Sequence, residues 1–301
     1  MRYIDKDFFI PVLDEGDKIY HYTSAEGLKG ICNGEFWVTE QHFLNDSSEF
    51  QVGTEMFLFY LFESIRDIAL YREMKKRILN QMKSFDKMGK IGDQAAFSGD
   101  YVISFCLDED SPLLWSEYSD FMGYCMKFDF NRLLKAFNDK VYFHGRVVYN
   151  RDEQLECINK SIEYILSKYE DCDCSTEEYL NSINNDNMDE FISWATVVCS
   201  AYNMFFKRPC FEGEHEYRFI FACAHDGGRY KAEQLEKLFF RIKEETFIPF
   251  VKKEIKNLDC LESVLVGPKN KSDIAVKGLE YFFRNKKLKV AIEKSEMPLR
   301  Y

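Results

Sequence analysis

The segment Glu214-His215-Glu216-Tyr217-Arg218 sets two carboxylates and a guanidinium at alternate positions of a 301-residue chain. In extended backbone, residues two apart share a face. A strand here therefore lines Glu214, Glu216 and Arg218 along one side and leaves Tyr217, Phe219 and Phe221 for the other. Carboxylates held this way accept hydrogen bonds from hydroxyls and stabilise positive charge as it develops on a substrate. The same spacing also describes a solvated sheet face, where charged residues ordinarily lie. Ile220 and Ala222 continue the charged side, which predicts that it is partly covered. A second set stands near the start, in Tyr20-His21-Tyr22-Thr23-Ser24. An imidazole there can serve a ligand, or it can be a core histidine satisfied by backbone. Ser104, within Val102-Ile103-Ser104-Phe105-Cys106, is a hydroxyl among apolar neighbours and needs a partner.

The elements that position these groups are legible in part. Residues 19–23 read as a short strand, Ser24 as an N-cap, and 25–32 as a helix with Leu28 and Ile31 inward. Asn33-Gly34 stops that helix, and 35–39 has the alternation of a second strand. Asp46 and Glu49 have the spacing of a capping box, from which 48–86 is expected to run as helix. Strands are expected at 101–107, 123–130, 141–149, 216–223, 261–266 and 288–293. Helices are expected at 111–118, 231–241 and 274–285, and across 151–206 with an interruption near 172–178. No Lys or Arg occurs from Tyr169 through Phe206, so this stretch reads as an acidic insertion.

Bulk composition narrows the class. Hydrophobic residues make up 46 % and charged residues 30 %, the balance of a core-forming chain. Aromatics are abundant, with 28 Phe, 18 Tyr and 3 Trp, which predicts a dense aromatic core or an aromatic-lined cleft. Charged residues at the start and the lack of an 18-residue apolar run argue against a secretory signal or a membrane span. The ten cysteines, including Cys32, Cys106, Cys125, Cys199 and Cys223 in apolar surroundings, are expected to be free thiols of a cytoplasmic protein. A net charge of −11 argues against non-specific coating of nucleic acid. Residues 201–301 nevertheless hold 20 Lys+Arg against 15 Asp+Glu, which leaves room for a polyanionic acceptor near one face. Cys172-x-Cys174 lacks a second pair at zinc spacing, so no metal site is expected. No Walker, Rossmann or Gly-x-Ser-x-Gly motif occurs.

The opening Tyr20-His21-Tyr22-Thr23-Ser24, with Leu28, Ile31, Gly34 and Trp37, resembles the first motif of ADP-ribosyltransferases, closest to members that modify nucleic acid. The wider set comprises Phe43-Leu44-Asn45-Asp46 with Glu49, Ile103-Ser104-Phe105, Trp115 with Tyr118 and Gly123, Glu214-x-Glu216-x-Arg218, and Val266-Gly267-Pro268. Together these are similar to a bacterial domain-of-unknown-function family, number two-nine-seven-one, over nearly the whole chain. The resemblance implies an α+β fold in which a pair of small mixed or antiparallel sheets surrounds a cleft. Residues 1–301 would form one such domain with helical insertions at about 48–95 and 151–206.

It also implies NAD as substrate and cleavage of the nicotinamide–ribose bond, with positive charge building on the ribose as a neutral base departs. On this reading His21 donates to a ribose hydroxyl, the backbone near Tyr22 and Thr23 reads the carboxamide, and Ser104 supports the glutamate or the ribose. Glu216 is catalytic, and Glu214 orients the acceptor. Arg218 holds a carboxylate or meets a phosphate, and Lys207 with Arg208 contacts the pyrophosphate. Asn45 and Asp46 cap a helix whose N-terminus faces an anion. The acceptor is expected to be a nucleic acid ahead of a protein, and the role a toxin or anti-phage effector with an antitoxin or regulator. Departures are clear: no Arg-based first motif, no Ser-Thr-Ser second motif, and Pro209–Gly213 in place of an acceptor-recognition loop. Plain NAD glycohydrolysis and a non-catalytic nucleotide- or partner-binding module are the alternatives. A metal-dependent nuclease built on Glu212, Glu214 and Glu216 ranks below them.

Overall fold

The computed structural model describes residues 2–3, 8–44, 49–88, 98–138, 140–168, 174–224, 235–243, 245–270 and 273–298. Two short strands, β1 (Arg2–Tyr3) and β2 (Pro11–Val12), pair antiparallel. Strand β3 (Lys18–Thr23) then runs into α1 (Ala25–Ile31), whose N-cap Ser24 accepts from the Gly27 N–H at 3.2 Å. Gly34 ends this turn at φ +85°, where a Cβ would lie 2.9 Å from the Ile255 carbonyl oxygen, and β4 (Glu35–Glu40) follows. The opening expected from the sequence is thus present.

The single helix expected over 48–86 is two, α2 (Glu49–Ser64) and α3 (Ile68–Met88). The break is stabilised from outside. Asn181 donates to the Ser64 carbonyl and accepts from the Arg66 N–H, both at 2.9 Å, and Asp67 caps the Ala69 N–H at 2.8 Å. Residues 45–48, with the expected Asp46 cap, lie outside the described residues. Next come β5 (Ser98–Cys106), α4 (Pro112–Ser119) and β6 (Tyr124–Asp129). A helix not anticipated, α5 (Phe130–Ala136), starts where Asp129 accepts from the Arg132 N–H. After β7 (Phe143–Arg146), the acidic stretch forms α6 (Arg151–Leu166), α7 (Thr176–Ser182) and α8 (Met188–Phe205).

Strands β8 (Glu216–Ala224), β9 (Leu238–Lys243), β10 (Thr246–Glu254) and β11 (Leu261–Val266), helix α9 (Asp273–Lys286) and strand β12 (Ala291–Lys294) complete the order. The helix expected at 231–241 is corrected: 238–241 belong to β9, while 231–234 lie outside the described residues. The β9–β10 hairpin wins because Phe239 stacks on Phe250, which in turn meets Trp37 of β4.

The fold is mixed α/β. In place of two small sheets, ten strands share one hydrogen-bonded sheet, antiparallel throughout except for the β11–β12 pair. Its path runs β12-β11-β6-β3-β5-β4-β10-β9, with β8 along the other edge of β5 and β7 beyond β8. Strand β5 pairs with β8 over its whole length, from Ser98↔Ala224 to Cys106↔Glu216. Its opposite edge is divided: β4 takes Tyr101 and Val102, and β3 takes only Cys106. Between them, at Ile103, Ser104 and Phe105, the sheet splits.

The two expected insertions pack on each other, with α2 and α3 against α8, α2 against α6 and α6 against α7. Their apolar cluster takes in Val102 and Ile220 from the sheet, and Val148 just after β7. On the other face Tyr217, Phe219 and Phe221 join Phe36, Phe128 and Phe137 in a second, aromatic-rich core. The alternation along β8 therefore divides as expected, except that Ala222 is exposed.

Candidate functional site

The split in the sheet opens into a cleft of about 690 Å³, within the size range of small-molecule sites. Its lining includes His21, Tyr22 and Thr23 from β3, Ser104 from β5, Glu216 and Arg218 from β8, and Lys207 and Glu214 from the approach to β8. Residues from three distant segments thus meet in one place. Asn45 lies outside the described residues.

His21 bridges the split. Its Nδ1 stands 2.9 Å from the Ser104 carbonyl oxygen. A carbonyl only accepts, so Nδ1 carries the hydrogen and Nε2 keeps its lone pair. Burial, opposed by that hydrogen bond and assisted by the Arg241 charge, pushes the imidazole down to about 4. The ring is therefore neutral near pH 7, and its open nitrogen is an acceptor. A hydroxyl of a ligand in the cleft would donate to this nitrogen. Beyond Tyr20, the edge of β3 facing the split has no strand partner among the described residues, which leaves backbone groups for a ligand.

Tyr22 is a different case. Its hydroxyl donates to the Asp108 carbonyl at 3.2 Å and accepts from the Ser111 N–H at 2.9 Å, and its ring packs edge-on to Trp115. The side chain is 6 % exposed, so any ligand contact here falls to the backbone. Cys106, which sequence reasoning left as a core thiol, lines the cleft with its Sγ–H bonded to the Tyr20 carbonyl. Burial raises its pKa, so it stays protonated.

Glu216 is the most heavily bonded group in the cleft. Arg218 grips it in a fork, Nε to Oε1 and Nη2 to Oε2, both at 2.8 Å. Lys207 Nζ adds a contact to Oε2 at 3.3 Å, and the Ser104 hydroxyl helps to hold the carboxyl ionised. Burial alone would raise its pKa, but the Arg218 and Lys207 charges outweigh it and hold the carboxyl well below the usual carboxylate range. Arg218 is fixed in turn by Nη1 donating to the Met204 carbonyl at 2.7 Å, and Lys207 is closer to Glu214, at 2.6 Å. Arg218 thus takes the carboxylate-holding role of the two expected of it, Lys207 pairs with carboxylates, and Arg208 pairs with Glu55.

Glu214 reaches the site by another route than expected. It ends a 3-10 turn over Pro209–Glu214, and His215 at φ +40° turns the chain before β8 begins. It shares no strand face with Glu216; Lys207 brings the two carboxylates together. Lys207 is placed by its own backbone: its N–H donates to the Val148 carbonyl and its carbonyl accepts from Gln154.

Sequence reasoning missed Arg241 and Lys243 of β9, which also line the cleft with Trp37, Thr39 and Tyr118. The usable signal was the alternation from Leu238 through Glu254 around a turn at Glu245, which has φ +61°. Among the described residues no group of three or more His, Cys, Asp or Glu side chains could hold a metal ion. Cys32, Cys106, Cys125, Cys199 and Cys223 are buried free thiols, and no described helix is long and apolar enough to cross a membrane.

No curated protein and no solved structure matches the chain. Residues 114–219 span α4 to the middle of β8 and so include Tyr118, Lys207, Glu214, Glu216 and Arg218. They match the model of a family described as a protein of unknown function, DUF2971.

Proposed function

We propose that the protein is an NAD-consuming enzyme of ADP-ribosyltransferase type that opens the nicotinamide–ribose bond in the split of its sheet. The observation that carries this reading is the meeting of a neutral His21 and an ionised Glu216 in one cleft, with His21 bonded to the Ser104 carbonyl and Ser104 also lining it. In the step proposed, the glycosidic C–N bond breaks and its electron pair leaves with nicotinamide, which becomes neutral. Positive charge then spreads over the ribose carbon and ring oxygen. His21 Nε2 and Glu216 accept from ribose hydroxyls and hold the sugar, and the carboxylate offsets the charge. An acceptor hydroxyl or amine, or water, closes the bond and loses its proton. Glu214, beside Glu216, is the group placed to receive the acceptor. The supporting motifs lie in a sheet whose β3–α1–β4 opening is the one the resemblance implies, and a nucleic acid remains the favoured acceptor.

One observation favours the second reading, a binding module: protein donors already make three hydrogen bonds to the Glu216 carboxylate, two from Arg218 and one from Lys207. A single measurement separates the two. The purified protein is incubated with NAD, alone and with oligonucleotide or protein acceptors, and nicotinamide release is followed. Release is expected, and Glu216→Gln should lower it by about 100-fold or more, with far-UV circular dichroism confirming the fold. Tight NAD binding without release under all acceptors would establish the module instead.

A further inference from the structure

Four cationic side chains line the cleft: Lys207, Arg218, Arg241 and Lys243. The first two are held by Glu214 and Glu216. Arg241 differs. Its Nη2 donates to the Thr39 hydroxyl at 2.9 Å, and no carboxylate among the described residues pairs with it. Glu35, the carboxylate on the same stretch of sheet, is engaged by Lys252 at 2.6 Å. A cation in a cleft without a counter-ion is an anion site in waiting, because a guanidinium offers five donors and here one is assigned.

The placement follows from register. Arg241 stands opposite Ile248, and Thr39 stands opposite Phe250, so the guanidinium reaches over β10 to the β4 hydroxyl. Arg241 is also near enough to His21 for its charge to oppose protonation of that ring. Because Thr39 Oγ1 accepts from Arg241, its own hydrogen remains to be given to an anion. Beside them the rings of Trp37, Phe250 and Phe239 follow one another across the same three strands, with centroids 4.9 and 5.6 Å apart. Trp37 forms part of the cleft wall.

We propose that Arg241, with Thr39, forms a phosphate subsite of this cleft and takes the pyrophosphate of a dinucleotide whose ribose is held at His21 and Glu216. The assignment of the dinucleotide rests on the function proposed above; the phosphate chemistry rests on Arg241 itself. A pyrophosphate matches the planar fork of arginine bidentately, which a lysine point charge does not. The backbone phosphates of a polynucleotide acceptor present the same chemistry, so the experiment carries an arm for each source.

The full chain is titrated calorimetrically with ADP, which has a pyrophosphate and no nicotinamide bond, and separately with a short single-stranded oligodeoxynucleotide. ADP binding is expected in the wild type, weakened at least tenfold in Arg241→Gln and only partly restored in Arg241→Lys, with unchanged far-UV spectra. Failure of ADP to bind the wild type, or equal binding by Arg241→Gln, overturns the proposal. So does an oligonucleotide affinity lost in Arg241→Gln while ADP affinity is unchanged. Should Arg241→Gln unfold, the Arg241→Lys and Thr39→Val variants carry the comparison. ADP binding that depends on Arg241 in a protein that releases no nicotinamide leaves this subsite standing and removes the transferase reading. Nicotinamide release with the same KM for NAD in Arg241→Gln does the reverse.

Discussion

The Glu216 carboxylate accepts two hydrogen bonds from Arg218 and one from Lys207, so on the function proposed a ribose hydroxyl would compete with these donors. The Lys207 contact at 3.3 Å is the longest, and Lys207 already has a nearer partner in Glu214. It is the contact that yields at least cost. His21 leads to a prediction about stability. Its pKa falls from 6.5 in the unfolded chain to about 4 in the fold, chiefly through burial. Between those values the unfolded chain takes up a proton and the folded one does not, so stability is full above pH 6.5 and declines as pH drops toward 4. The shift is worth at most about 3 kcal/mol. Glu216, lowered by its cations, adds a loss of its own only below its unfolded value of 4.5. Urea midpoints measured from pH 7 to pH 4.5 should fall in the wild type and fall less in His21→Asn, which can still donate to the Ser104 carbonyl. Equal slopes in the two proteins would contradict the assignment. At this scale the sequence named several residues that the fold brings to one cleft. It could not say that Tyr22 would use its hydroxyl on Asp108 and Ser111, that Lys207 would pair with carboxylates, or which of its two expected roles Arg218 would take. Those are questions of which partner lies nearby.

Among the elements, α2 and α8 approach each other closely. A Cβ at Gly53 would lie 2.4 Å from the backbone nitrogen of Asn203, and the adjacent Thr54 N–H donates to the Asn203 side chain at 2.8 Å. Helix backbones this close admit only glycine, so Gly53→Ala should destabilise the protein by about 1–3 kcal/mol, despite the higher helix propensity of alanine. Chemical denaturation reads this directly, and a stabilised variant would refute the packing. The β3–α1–β4 opening was legible because every signal in it is local: the Ser24 cap, the Gly34 stop and the alternation of residues 35–39. The α2–α3 break was not, since Asn181, more than a hundred positions downstream, supplies two of its bonds. Strand β9 was misread for a related reason. Helix-forming residues precede it, and what holds it extended is the ring of Phe250 on the next strand.

At the scale of the molecule, the helical bundle and the sheet share one face of β8. Ile220 lies in the bundle cluster, and Arg218 donates to the last turn of α8. Bundle and sheet should therefore unfold together. In a Trp194→Phe variant, the remaining fluorescence from Trp37 and Trp115 reports on the sheet side, and its thermal transition should coincide with the loss of helical ellipticity. Two separated transitions would show the bundle to be an independent unit. The sequence by itself determined the local periods, the caps and turns, the aromatic character of the core and the chemical types of the candidate groups. These depend on residues within a few positions of one another. Tertiary structure alone decided that His21 would meet Ser104, 83 positions away, in a gap between strands, and that Arg241 would face them from the far side of β10. Strand partners are chosen by burial and hydrogen bonding summed over the whole sheet, and no short window of sequence contains that sum.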